Sequence, residues 1–567
     1  MDRRTLLAIT LILMVLVLPS VIMGPPPPRP IAEGPAVPPE AASPADTPDT
    51  VVRSAQPVLP RPGLAPVDTA SVPPPSPEPV VVSSPLYRYE FSPRGARLVG
   101  AVLNEYESFA AGPPEAQLIP DFSGFLTYRL VFGQDTVSLV DWEFEPSSRA
   151  IDVGAGGAEL IWVARRGAAT VRLVYSFDPE RYLIRIRGEL EGIQATAGLL
   201  VVGLGPRLRS IDFDSIVDFR SYGVVTKARS TDNLKFSKLD SGERRTLDGP
   251  FEWVAIKSKY FLAAILAVED GQARFGGAVA TGGPRTQAQT KGFLGVIGRR
   301  QVVQATQANV LASLPMPAGA FSFALYIGPQ EYRRLARIGH ELQDVNPYGW
   351  ILRPVIGPLS ILVVRMLLWM HETLNLAYGW VLILFGIAIR LALWPLNQKA
   401  MRSTMAMQAL QPEMKDIQER YKHDKQQQQK EMMGLYRKHG ANPLGGCLPM
   451  VLQMPILFTL FFVFLNTIVL RGVPFLWLPD LSLADPLYII PVIMGLSMFA
   501  VMKIGQIGVP PNPQTKMMVY FMPIMLTFLF LGFSAGLNLY YATSNIASIP
   551  QQWGVAQERM RRKKAQK

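Results

Sequence analysis

The spacing of apolar positions changes abruptly along this chain, and each change predicts a different kind of element. After Asp2-Arg3-Arg4, the apolar run Leu6 to Met23 is long enough to span a membrane, and its basic start holds the N-terminus in the cytoplasm. The run lacks an Ala-x-Ala-like ending, which favours an uncleaved anchor (1–23) over a cleaved signal peptide; in either case the chain beyond it is exported. Residues 24–84 are dominated by Pro, Ala, Val and Ser, a composition that builds no packed core and predicts an extended tether. From about Leu86 to Pro329 the period becomes two. Tyr87, Tyr89 and Phe91 alternate with Arg88 and Glu90, Ile184 and Ile186 with Arg185 and Arg187, and Phe321, Phe323, Leu325 and Ile327 repeat the pattern. This predicts a large antiparallel β-sandwich over 85–330.

Helical spacing takes over at Leu335, Ile338 and Leu342. The next apolar stretch, Val355 to Leu376, carries Arg365, His371 and Glu372, with Pro358 near its start, which suits a helix lying along the outer membrane interface within 331–378. If it crossed, the basic segment after Pro395 would fall outside, against the positive-inside tendency. Five later apolar runs, 379–396, 442–471, 487–508, 517–533 and 534–554, each approach the roughly 20 residues a bilayer requires and, with the anchor, predict about six crossings. Lys399, Arg402, Lys415, Lys503, Lys516 and the basic tail 555–567 then lie inside, as does the loop 509–516, while the loop 472–486 with Asp480 and Asp485 lies outside, so both termini are cytoplasmic. The polar stretch 397–441 between the first two of these runs has three-four spacing at Met407, Leu410, Met414, Ile417 and Tyr421, a break at His423-Asp424, and a second helix with Met432, Met433 and Leu435; it predicts a cytoplasmic helical hairpin. The fold class is a multi-domain membrane protein, an α-helical transmembrane bundle with an external, super-sandwich-like β domain.

Composition sharpens this picture. The 567 residues are 49% hydrophobic and 18% charged, which fits a mixture of membrane and soluble parts. The net charge of +12 arises from basic residues clustered beside apolar runs, where they set topology, so nucleic acid is not the expected substrate. Cys447 is the only cysteine, which excludes an intramolecular disulfide and a cysteine-based metal site. All four histidines, His340, His371, His423 and His439, lie outside the β region, which removes histidine-based catalysis and histidine-ligated metal from it. No Gly-x-x-x-x-Gly-Lys-Ser/Thr motif occurs, so ATP hydrolysis is not expected. No cofactor, no metal and no enzymatic activity are expected.

The candidate chemistry lies in the membrane segments. Arg390 sits within the apolar run before Pro395, and no Asp or Glu lies within any later apolar run to neutralise it. A guanidinium at the centre of a span costs roughly 2.5 to 3.5 kcal/mol, so it either faces protein or a hydrated cavity or, being near the helix end, snorkels to the headgroups. Gln453, Asn538, Tyr541 and Asn545 place further polar groups among apolar residues, either as interhelical hydrogen bonds or, facing Arg390, as the lining of a groove. Met401, Met405, Met407 and Met414 on the hairpin are either its internal seam or a pliable surface for varied apolar segments.

Arg390 before Pro395, the Met-rich hairpin, Asn442-Pro-Leu-Gly-Gly446 with Gln453-Met-Pro-Ile456, and Leu539-Tyr-Tyr-x-x-Ser-Asn545, in this order, resemble the YidC family of membrane protein insertases. The motif match covers about 379–556, and the upstream anchor, tether and sandwich resemble the Gram-negative arrangement with a periplasmic domain. Gly386, and Gly532 with Phe533-Ser-Ala-Gly536, depart from residues found in some relatives. The resemblance implies an inner-membrane insertase and chaperone that guides hydrophobic segments of nascent proteins into lipid, alone or beside the Sec translocon. It implies a groove lined by Arg390, Gln453, Asn538, Tyr541 and Asn545, client contact by the hairpin, and the basic tail as a candidate ribosome contact. Two rival readings are an ion-coupled transporter, for which the spans lack the carboxylate or histidine relays usually needed, and an envelope enzyme or sugar-binding protein acting through the sandwich.

Overall fold

A computed structural model describes residues 78–110, 112–121, 123–192, 197–213, 215–267, 274–289, 302–305, 307–346, 353–398, 401, 410–439, 448–509 and 513–565. The expected anchor 1–23, the tether up to residue 77, Met405, Met407 and the side chain of Gln453 lie outside the described residues.

Among the described residues, strands form an eleven-stranded sheet, a nine-stranded sheet and a two-stranded hairpin. The first sheet includes Val80–Ser83, taken from the end of the stretch read as tether; it pairs antiparallel with Tyr87–Ser92 and parallel with Ala150–Asp152. The other described pairings are antiparallel. Alternation places Tyr87, Tyr89 and Phe91 in the core while Arg88 and Glu90 stay partly exposed. Buried side chains from both sheets form a single cluster. Tyrosine hydroxyls bridge the sheets inside it, Tyr128 to Tyr175 at 2.7 Å and Tyr89 to the Ile327 carbonyl at 3.1 Å, so these large apolar rings are buried without orphaning their polar tips.

Alternation disappears in Gly223–Lys227, Trp253–Lys257 and Phe261–Leu266, which are buried along their whole length. The short helix α1, Ser215–Ser221, precedes the first of these. After the last strand, Ala320–Pro329, the chain forms α2, Tyr332–Ile338, and a single turn, Leu342–Val345, whose Leu335, Leu342 and Val345 join the core. Trp253 Nε1 donates to the His340 carbonyl at 2.9 Å, Lys227 pairs with Glu341, and Lys257 Nζ donates to Asn346 Oδ1. The connecting segment thus covers a sheet face that would otherwise meet water.

The remainder of the chain is helical. Helices α3, Arg353–Leu374, and α4, Tyr378–Ala392, meet at 119°. The hairpin is α5, Gln411–Arg420, and α6, Lys425–Lys438, with Asp424 Oδ1 accepting the amides of Gln426 and Gln427 at 3.0 Å to cap α6 where the polarity break predicts a turn. Then come α7, Leu448–Asn466, α8, Ile489–Gly505, α9, Pro513–Phe530, and α10, Ala535–Ala565, which continues as helix into the basic tail. Helix α10 packs along α8 and α4, and α7 packs along α3. Among the described residues no single helix is long and apolar enough to cross a membrane by itself; α3 with α4 meets that test only as a bent pair.

Candidate functional site

The site begins with how closely α4 lies against its neighbours. At Gly379 a Cβ would come within 2.1 Å of Phe475 Cδ2, so glycine lets that ring sit on the helix backbone. Two turns further along, Gly386 meets α10, where a Cβ would find Thr543 Cγ2 and the Tyr540 carbonyl at 3.4 Å. This packing brings Arg390, in the last turn of α4, to a cavity it shares with Tyr540, Tyr541, Ser544 and Asn545 of α10 and with Asn397. Ile456, Leu457 and Leu460 of α7 form its apolar wall. The cavity offers about 30 Å³ to water-sized groups, room for ordered water beside polar groups.

No Asp or Glu occurs in α4, α7, α8 or α9, nor in α10 before Glu558. Arg390 Nε is shielded from solvent and has no hydrogen-bond partner among the described residues. The cavity therefore holds a guanidinium whose charge the surrounding helices leave uncompensated, a state that protein tolerates only where water or a polar ligand reaches it.

The structure brings Arg390, Tyr541 and Asn545 together and places Asn538 elsewhere. Tyr541 Oη donates to the Leu457 carbonyl at 3.1 Å, tying α10 to α7, and Asn545 Nδ2 donates to Ser497 Oγ at 3.3 Å, tying α10 to α8. Asn538 is fully buried in the first turn of α10, where Nδ2 donates to the carbonyl of Phe530 (3.0 Å), the last residue of α9, and to that of Phe533 (3.4 Å) in the turn between the two helices. On the hairpin, Met414 Sδ accepts from Tyr436 Oη across the seam at 3.7 Å, and Met401 is half-buried. Asn397, Tyr540 and Ser544 line the cavity without having been singled out from sequence. Tyr540 and Ser544 share a face of α10 by their i, i+4 spacing, but what that face meets is set by packing.

The ends of the bundle are fixed by polar side chains. Asp485 accepts the Leu487 and Ile490 amides and Trp477 Nε1, capping α8. Arg559 donates to the carbonyls of Gly505 (2.9 Å) and Ile507 (2.8 Å), closing its other end. Arg471, in the connection from α7 to α8, pairs with Asp212 of the β domain and donates to the Glu107 (2.9 Å) and Ile211 (3.0 Å) carbonyls.

Comparison with known proteins agrees with this architecture. The family model described as YidC periplasmic domain matches residues 79–359, and that described as 60Kd inner membrane protein matches 369–563. The two matches define an inner-membrane protein with a periplasmic β-rich domain. A membrane protein insertase YidC from Oleidesulfovibrio alaskensis is 32% identical over 517 residues, covering 87% of this chain and 90% of the relative. One from Syntrophus aciditrophicus is 30% identical over 583 residues, covering 98% and 99%. The chain belongs to the YidC family of membrane protein insertases, and the protein is not an enzyme. Among solved structures, an active YidC insertase with its first transmembrane domain resolved shares 19% identity, with 84% of this chain and 93% of that one covered at a TM-score of 0.33.

Proposed function

We propose that the protein moves hydrophobic segments of newly made proteins from the cytoplasm into the inner membrane through the polar cavity beside Arg390, alone or beside the Sec translocon. The observation that carries this reading is the uncompensated guanidinium in a polar pocket with one apolar wall. Its positive potential attracts a polar or acidic tail and lowers the cost of taking that tail partway into the membrane. The client's apolar segment then leaves sideways along α7 and α9 into lipid, and its own burial there drives the step.

In this reading α4, α7, α8, α9 and α10, with the N-terminal segment, make about six crossings, with both termini in the cytoplasm. Exposed apolar rows support it, Trp380, Leu384, Ile387 and Leu391 on α4, Ile489, Val492, Ile493 and Leu496 on α8, and Phe521, Ile524, Met525 and Phe528 on α9, since apolar faces of this extent suit lipid rather than water. Helices of 15, 17 and 18 residues in α4, α8 and α9 fall short of the roughly 20 that match an average bilayer, and short helices thin the bilayer around them, which shortens the client's path. The 119° bend and the exposed Leu362 and Trp369 suit α3 as a helix in the outer interface. The hairpin makes first contact with clients, and the basic tail, carried on α10, serves as a ribosome contact.

A photo-crosslinking residue at Ser544 should capture a stalled nascent client, and one at Trp553, which is exposed further along α10, should capture it far less. Equal capture at both positions, or capture only at Trp553, would remove the cavity from the path.

A further inference from the structure

The membrane-proximal edge of the β domain carries an exposed aromatic side chain that the insertion reading does not use. Phe213 is 59% exposed and stacks on Phe109, with ring centroids 5.0 Å apart and planes within 5°. Phe109 in turn lies under Arg471, whose Cζ is 4.5 Å from the ring centroid, and a Cβ at Gly472 would come within 2.5 Å of Phe109 Cζ. The stack is therefore locked to the chain just past the end of α7.

That place in the fold is the outer boundary of the helical bundle. The same connection exposes Leu476 (69%), Trp477 and Leu487, and Trp380 at the start of α4 lies edge-on to Phe475 at 5.5 Å. Tryptophans and leucines grouped at helix ends mark the interfacial layer, where an aromatic ring rests at headgroup depth. A single exposed phenylalanine on a soluble surface needs no explanation. Phe213 differs because its position is fixed by a rigid stack to that apolar rim.

We propose that Phe213 is a membrane contact of the β domain, seated in the outer headgroup layer beside the α7–α8 connection and holding the domain against the lipid surface. This rests on the reading of α4, α7 and α8 as membrane helices. The occupant is lipid, since Phe213 is held through Phe109 to the same connection that exposes Leu476, Trp477 and Leu487.

Cys447 is the only cysteine, so a Cys447→Ser background allows one fluorescent label at Phe213→Cys and, in a separate protein, at Leu496→Cys in the exposed middle of α8. Both full-length proteins are placed in phosphatidylethanolamine–phosphatidylglycerol vesicles containing lipid with a nitroxide near the headgroup or deep in the acyl chain. The proposal expects blue-shifted emission at 213 with most of it lost to the headgroup nitroxide, and quenching at 496 by the deep one. Water-like, unquenched emission at 213 with quenching at 496 would overturn the contact and leave the membrane helices standing. Absence of quenching at both positions would overturn the contact and the membrane reading together.

Discussion

Asn538 and Asn545 lie two turns apart on one face of α10 and do different work. Asn538 has no access to the cavity and supplies donors to the Phe530 carbonyl that ends α9 and to the Phe533 carbonyl in the turn after it, backbone groups outside the regular ladder of the helix. Asn538→Leu should therefore destabilise the bundle by about 1–3 kcal/mol, the cost of an unmet buried polar group. Asn545→Ala leaves Ser497 Oγ donating to the Met494 carbonyl and should cost under about 1 kcal/mol. Thermal unfolding of the two variants in detergent gives the comparison. The helical period in Asn538, Tyr541 and Asn545 was legible in the sequence, and so was the charge at Arg390 in a run with no carboxylate. Which neighbour covers each side of α10 was not, because that depends on the angles at which α4, α7, α8 and α9 cross it. For the same reason Tyr540 and Ser544, in the motif itself, emerged as lining only from the packing.

Between elements, the connection from α7 to α8 joins the two halves of the molecule. Arg471 reads in sequence as a basic residue after an apolar run. In the fold its side chain is 4% exposed and pairs with an Asp212 carboxylate that is nearly as buried. Its partners lie more than two hundred residues away in the chain, a separation no local pattern reports. Arg471→Met leaves Asp212 as a buried, unpaired charge and should cost about 3–5 kcal/mol, while adding Asp212→Asn should recover much of the loss. A double-mutant cycle on the unfolding midpoint measures the coupling. Asp218 adds a pH dependence to the same region. Burial, and secondarily the nearby Asp212, raises its carboxyl from 3.8 to about 7, although it accepts the Lys259 amide at 2.9 Å. The folded protein then keeps a proton that the unfolded chain has released, so this group's contribution to stability falls as pH rises from about 4 to about 7 and is level above that. Asp218→Asn should flatten that decline, measured as the β domain's denaturation midpoint across that range. The continuous burial of Trp253–Lys257 and Phe261–Leu266 shows the complementary limit: a period-two signal identifies a strand with one wet face and is silent where a later segment covers the other.

At the scale of the whole molecule, composition and periodicity marked where β structure gives way to helices, and the distribution of basic residues suggested which loops face inward. The 119° turn between α3 and α4, the seating of the β domain on the α7–α8 connection and the closure of a polar cavity by α4, α7 and α10 come from tertiary packing. Together they give the account of insertion: an exterior β domain, a row of short apolar helices and, in the cavity between α4, α7 and α10, a guanidinium that no carboxylate of those described helices faces. The direct test is to replace Arg390 by Ala and separately by Lys, and to measure insertion of a small client with an acidic translocated tail in cells depleted of their own insertase. The account predicts that Arg390→Ala loses most insertion of this client while Arg390→Lys retains it, both proteins accumulating normally. Full insertion by Arg390→Ala would contradict it, and would mean that the guanidinium reaches the headgroups and takes no part in receiving the client.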